Sequence, residues 1–465
     1  MLSAKSIIPK EIKELCGYRV ALFIPLLILF QSVLAQDNSP YSRYGIGDIV
    51  PSTNISSRGM GGLSAGYSDI ISVNMNNPAT FAFFQTIREQ NKKKIASGRP
   101  VLDLGVNFEN RTLRDNKNTS KFTASNLLFS YLQLGIPINK NWGIGLGIRP
   151  ISRISYKISR NEFLIDPQTQ LPIDSANTLY DGDGGTYLPS IGTGYKHKNF
   201  SIGLNVGYLF GKKNYSTKRG FYSDTIEYYQ SNHENTTTFG NIFFNAGMQY
   251  KIELKKEKSL TLGAYGNPGQ KLNASQDIIR ETYVRDALQG NVRLDSVSEQ
   301  KNIKGALSYP SSYGIGFVLE KIEDTKAKKA GWVFGMDFVQ TNWSNYLFYG
   351  RSDSLRNSWE LRIGGQIQPV LEKNFFSKIS YRAGFFIGPN YVKVNQNLPV
   401  YGVSFGMRIP VINYNRLSLN QVTFLNLAFE YIKRGSTKNL LRENQFRIST
   451  SLSLSDFWFI KRKYD

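Results

Sequence analysis

Between Val101 and Phe459, apolar and polar residues alternate at period two in about fourteen short segments. Trp142, Ile144, Leu146 and Ile148 are interleaved with Gly143, Gly145, Gly147 and Arg149. Phe200, Ile202, Leu204, Val206, Tyr208 and Phe210 are interleaved with Ser201, Gly203, Asn205 and Gly207, and Tyr401, Val403, Phe405, Met407, Ile409 and Val411 repeat the pattern. Successive strand side chains point to opposite faces, so each segment has one apolar face and one small or polar face. A water-soluble sandwich alternates too, but its loops would not sort by length. Here the connections alternate between long and short, as in a membrane barrel with long outer loops and short periplasmic turns. The expected fold is all-β: a transmembrane antiparallel β-barrel of about 14 strands.

The alternation predicts strands over 101–111, 122–136, 142–158, 184–195, 199–211, 237–252 and 259–275. It continues over 303–320, 331–343, 358–369, 377–388, 400–411, 421–433 and 444–459. The longest expected outer loops are Ser159 to Asp183, Gly211 to Thr236 and Thr282 to Asn302. An even count returns both termini to the periplasm. Four of the five tryptophans, Trp142, Trp332, Trp359 and Trp458, share the outward parity that an aromatic girdle needs, and Trp343 does not. The end Phe457-Trp458-Phe459 reads as a barrel-assembly signal, which implies the barrel-assembly machinery as a partner during insertion.

The N-terminus places Lys5, Lys10, Lys13 and Arg19 before the apolar run Val20 to Phe30 and Val33-Leu34-Ala35. This is the order of a signal peptide cleaved after Ala35, and the apolar run is too short to span a bilayer as a helix. Cleavage removes Cys16, the only cysteine, so thiolate chemistry and disulfides are excluded. Four Lys/Arg and two Glu leave with the signal, taking the formal charge from +22 to +20. The excess is not gathered into a nucleic-acid motif; many lysines fall in expected periplasmic turns (Lys196, Lys198, Lys255, Lys256, Lys258, Lys326, Lys328, Lys329), facing lipid head groups. No nucleic-acid partner is expected.

The segment from Gln36 to about Gln85 lacks alternation and carries Tyr41 to Asp48, Arg58-Gly59-Met60-Gly61-Gly62 and Asn77-Pro78-Ala79. Gly59, Gly61 and Gly62 suit a compact plug packed against a barrel wall. Asn77 can cap a helical turn begun by Pro78. With its signal peptide, glycine-rich hatch ending near Asn-Pro-Ala and about fourteen strands, the chain resembles the FadL/TodX superfamily of outer-membrane channels for hydrophobic compounds. The same motifs are similar to the superfamily branch containing the PorV shuttle protein of type IX secretion. The resemblance implies signal 1–35, hatch or plug 36–98, barrel 99–460 and a periplasmic tail 461–465, in a Gram-negative outer membrane. It implies a channel for hydrophobic or amphipathic, long-chain fatty-acid-like cargo, with Asn77, Pro78 and Ala79 helping to shut the periplasmic end. The alternatives are a PorV-like docking component with secretion-machinery partners, and a non-catalytic structural barrel.

Family members that transport are associated with a kinked third strand that opens the wall sideways. Pro150, flanked by Arg149 and Arg153, and Pro189 in the fourth strand each remove a ladder donor, and mark a candidate lateral gate between strands three and four. Parity turns Asp337, Glu360, Arg362, Arg382, Arg408, Glu430 and Arg447 inward, since a charge facing lipid near the midplane would cost roughly 2 to 4 kcal/mol. Glu430 and Arg447 should meet near the outer end, and Asp48 and Asp69 of the hatch are expected partners for Arg382 and Arg408.

Enzyme chemistry finds no support. His197 and His233 fall on opposite sides of the membrane, the Gly59 to Gly62 run lacks the Lys-Ser/Thr of a phosphate loop, and Asp181-Gly182-Asp183 lacks calcium-loop spacing. No metal or cofactor is expected. The remaining partners are outer-membrane lipid, including lipopolysaccharide, and the cargo.

Overall fold

The computed structural model describes residues 39–88, 95–115, 121–223, 228–255, 257–286, 290–323, 329–372, 374–394, 396–411 and 421–456. The signal peptide, Lys256, Lys326, Lys328 and the Phe457-Trp458-Phe459 end lie outside the described residues.

Alternation closes into a barrel. Its strands are β1 (Val101–Asp115), β2 (Lys121–Asn139), β3 (Trp142–Ile165), β4 (Pro172–His197), β5 (Phe200–Tyr222) and β6 (Gln230–Leu254). β7 runs in two pieces, Lys258–Asn267 and Gln270–Asp286, and β8 in two, Gly290–Tyr309 and Ser312–Lys321. β9 (Gly331–Thr341), β10 (Ser358–Gln368), β11 (Ser380–Val394), β12 (Gln396–Val411), β13 (Val422–Arg434) and β14 (Leu441–Ser455) complete it. Every neighbour is antiparallel, and β14 pairs with β1 from Leu441↔Asp115 to Ser455↔Val101. Pro268 and Pro310 cannot donate to the ladder, and both interruptions fall at them.

Lipid-facing and lumen-facing positions separate cleanly. Along β1, Leu102, Leu104, Val106 and Phe108 are exposed while Asp103, Asn107 and Glu109 are buried, the inverse of a soluble protein. Trp142 and Trp359 are exposed on the outer surface, whereas Trp343 is buried in a 3-10 turn, Trp343–Asn345, that folds back over the barrel mouth.

Three expectations change. The expected long loops are hairpins: β3 and β4 have 24 and 26 residues, roughly 80 Å, where a tilted span needs about 10. Asp181-Gly182-Asp183 is therefore strand, paired to β3 and β5. The two ends of the described chain also lie at opposite mouths. Ser39 bonds to Ser155 and Glu443, while Ser455 pairs with Val101 and Val422 at the short-turn end.

Residues 39–84 run down the interior and are almost entirely buried. A short ladder, Thr86–Arg88 with Ile95–Gly98, leads into β1.

Candidate functional site

The interior segment is seated on glycines of the wall. A Cβ on Gly247 would lie 2.1 Å from Asn77 Oδ1, on Gly263 1.9 Å from the Ala65 carbonyl, on Gly364 2.2 Å from the Met60 carbonyl and on Gly384 2.0 Å from the Gly61 nitrogen. No side chain fits at such separations, so these inward positions admit only glycine while the segment is in place. The sequence signal was present in the small inward faces of β3 and β5, whose Gly143 and Gly203 carry Phe81 and Pro78 in the same way.

Asn77, Pro78 and Ala79 form the lower clasp. The Asn77 side chain accepts from the Ala79 amide at 3.2 Å and donates to the carbonyls of Ala65 and Met248 at 2.7 and 3.3 Å. Pro78 begins the 3-10 turn Pro78–Phe83. Capping and anchoring are thus the same contact. Higher up, Gly61 and Gly62 adopt positive φ of 68° and 89°. The turn they make presents the Gly61 amide to Ser404 at 2.9 Å and the Gly62 carbonyl to Arg362 at 3.0 Å. Gly59 lies 3.0 Å, as a virtual Cβ, from the Gly406 backbone.

The inward charges grip the segment. Asp337 accepts from the Ser64 and Ala65 amides at 2.6 and 2.9 Å, and Arg362 also pairs with Glu360 at 2.5 Å. Arg408 pairs with Asp69, while Arg382 donates to Gln366 at 2.7 Å. Glu430 meets Arg447 at 3.2 Å and Arg58 at 3.8 Å.

Asp48 departs from expectation. It lies near the outer mouth, away from Arg382 and Arg408, in a quartet: Arg111 at 2.7 Å, Arg434 at 2.5 Å, and Glu443 bridging those arginines at 3.6 and 3.0 Å, with Arg111 also 3.9 Å from Glu109. Burial pushes the Asp48 carboxyl up, but Arg434 and Arg111 outweigh it and hold it below the usual carboxylate range. The quartet joins the segment to β1, β13 and β14, where the barrel closes. Parity on β1 marks Arg111 as inward, whereas Arg434 and Glu443 fall one residue outside the strands expected at 421–433 and 444–459.

β3 and β4 stay paired where the sequence suggested a lateral opening. Pro150 and Pro189 both sit in a β3–β4 ladder that runs from Trp142↔Tyr195 to Ile165↔Pro172, with a bulge between Pro150 and Ser152. Pro189 instead breaks the β4–β5 ladder, which has no pairs between Tyr187↔Phe210 and Ser190↔Gly207. The separation lies on the other side of β3. β2 pairs with β3 only from Asn139↔Trp142 to Leu132↔Ile148, and β2 residues 121–131 have no β3 partner. β3 beyond Ile148 is bordered by the interior segment: Asp48↔Arg153 and Ile49↔Ser152 form an antiparallel pair, and the Ser39 amide donates to Ser155. Gly47, at φ 106°, lets this strap lie against β3; a Cβ there would meet the Arg153 carbonyl at 2.5 Å.

Between the interior segment and the wall lies a chamber of about 320 Å³, lined by Ile151, Phe243, Tyr309, Trp343 and Tyr391 and by polar groups that include Asp48, Asn76, Arg149, Glu360, Arg362, Glu430 and Arg447. Arg149 donates to the Ser52 carbonyl and Asn76 at 2.5 and 2.7 Å and has no carboxylate partner among the described residues. Trp343 and Tyr391, ring centroids 4.5 Å apart, roof the chamber together with Tyr346, Tyr41 and Ile46.

A family model named BamG matches residues 18–465. The chain belongs to the BamG family. Among solved structures, this BamG-family barrel is similar to the CymD monoaromatic hydrocarbon channel at 15% identity, over 89% of this chain and 99% of that one, with a TM-score of 0.50. It is similar to a Pseudomonas aeruginosa FadL homologue at 14% identity, over 89% and 100%, again at 0.50. These likenesses establish the FadL/TodX type of fold. No curated protein matches the sequence.

Proposed function

We propose that this BamG-family barrel is an outer-membrane channel for hydrophobic or amphipathic small molecules, entered sideways from the outer leaflet between β2 and β3. The carrying observation is the separated β2–β3 seam, bordered on its β3 side by the strap Asp48–Ile49. Unpaired backbone at bilayer height is tolerated where it lines an interior cavity, which supports reading the seam as a portal to the chamber behind it. Arg149, beside the apolar Ile151, Phe243 and Tyr309 in a lining of mixed polarity, suits the anionic head of an amphipathic cargo such as a fatty acid. In this reading the strap is the gate, and Arg149, Pro150 and Arg153 belong to the β3 side of the portal. The solved relative described as a monoaromatic hydrocarbon channel supports the cargo class.

The family name favours a second reading, a component of the barrel-assembly machinery that uses the plugged barrel as a docking platform. The density of hatch anchors supports it, since a scaffold needs no open lumen. Mass spectrometry of the mildly purified barrel separates the two. A bound lipid-like molecule supports the channel; stoichiometric assembly proteins without such a molecule would reverse the ranking.

A further inference from the structure

The short-turn end of the barrel carries a pair of lysines that no carboxylate compensates among the described residues. Lys258 in β7 and Lys321 in β8 are direct cross-strand partners. Both share the lipid-facing parity of their strands, with exposed Leu262 and Ile315 on the same faces. Like charges placed opposite one another destabilise a sheet unless an anion lies between them. Among the described residues neither lysine has a carboxylate partner. Glu320, next in the chain, turns inward to Lys251 at 2.6 Å and Ser259 at 2.8 Å. Glu323 accepts from the Leu371 amide, and Glu257 lies exposed in the β6–β7 turn.

Trp332 sets the height of this pair. It is the register partner of Lys321 on β9, and Lys258 Nζ lies 5.7 Å from its ring centroid. Tryptophan at a strand end marks the bilayer interface, so the two ammonium groups stand at the level of phospholipid phosphates. Phe334, exposed two residues along β9, continues the surface toward the hydrocarbon, and exposed Ile367 is the β10 register partner of Trp332.

We propose that Lys258, Lys321 and Trp332 form a binding site for an anionic glycerophospholipid of the periplasmic leaflet. The phosphate bridges the two lysines, the indole packs on the glycerol region, and an acyl chain follows the Phe334 ridge. The site rests on the bilayer placement of the barrel and is independent of what the chamber carries.

Native mass spectrometry of the full-length barrel in mild detergent, titrated with phosphatidylglycerol or phosphatidylcholine, tests it. The wild type should prefer phosphatidylglycerol. At about 1 kcal/mol per lysine near a charged surface, Lys258→Gln with Lys321→Gln should bind it roughly 10- to 30-fold more weakly. Lys157→Gln with Lys304→Gln, exposed lysines of the long hairpins at the other end, should leave binding unchanged. A heat-dependent shift in gel mobility confirms that both variants are folded. Equal affinity for the two lipids, or equal losses in the two double variants, overturns the proposal. Displacement of the lipid by inorganic phosphate overturns it in favour of a free-anion site, and an acidic protein held by the same lysines without lipid overturns it in favour of a protein interface.

Discussion

Asp337 shows how a single wall side chain holds the interior segment, since its carboxylate accepts two successive amides, Ser64 and Ala65, from inside the barrel. Asp337→Ala leaves both buried donors without their acceptor, a cost of about 1–3 kcal/mol each. Lumen leakage, measured as single-channel conductance, should therefore rise while the barrel stays folded; a conductance equal to wild type would show that the remaining clasps suffice. Gly247→Leu acts from β6, driving a side chain into the space of Asn77. It should expose the segment to protease and raise conductance more than Asp337→Ala does.

Asp48 sets the pH response. Its carboxyl is depressed in the folded barrel, so its contribution is complete above the ordinary carboxylate pKa of about 4 and is lost as pH falls below that value. Asp69, also held down against burial by Arg408, acts in the same direction. Protease protection of residues 39–84 should stay flat from pH 8 to about pH 5 and decline below about pH 4. A decline already between pH 8 and pH 6 would assign the anchoring to other groups.

At the scale of elements, bilayer strands were legible because one face meets lipid and the other does not. Trp142 to Ile148 and Tyr401 to Val411 carry that contrast over their whole crossing. The contrast ends where both faces meet water. Ser159 to Ile165 and Pro172 to Asp183 therefore read as loop although they continue the β3–β4 ladder. The inward charges were legible one by one, since lipid excludes them; their pairing was not. Asp48 is nearer in the chain to the hatch glycines than to any wall arginine, and only the path of the strap carries it to Arg111 and Arg434. Pro150 and Pro189 correctly marked disturbed ladders, but a missing donor does not say which neighbour is lost. Pro150 falls at a bulge against β4, while the separation lies against β2.

At the scale of the whole molecule, the barrel encloses its own N-terminal segment from the Asn77 clasp to the Trp343 roof. The segment is anchored around the wall at different heights, β2 included through Ser130 and Tyr131, so wholesale ejection would break many contacts together. The strap is different. Two register pairs, Asp48↔Arg153 and Ile49↔Ser152, close the β3 side of the seam together with bonds joining Ser39, Ile46 and Val50 to Ser155, Ser152 and Ile151, so in the proposed channel this is the border that a lateral gate has to open. Movement there leaves the Asp337, Arg362 and Asn77 anchors in place.

Locking that border tests the channel account most directly. Ile49 and Ser152 are register partners, and the sequence has a single native cysteine, Cys16, replaced by Ser for the test, so Ile49→Cys with Ser152→Cys can be oxidised to tie the strap to β3. Uptake of a fluorescent long-chain fatty acid by vesicles containing the double variant should fall to the protein-free level on oxidation and recover on reduction. Unchanged uptake with the disulfide formed would contradict lateral entry through the β2–β3 seam.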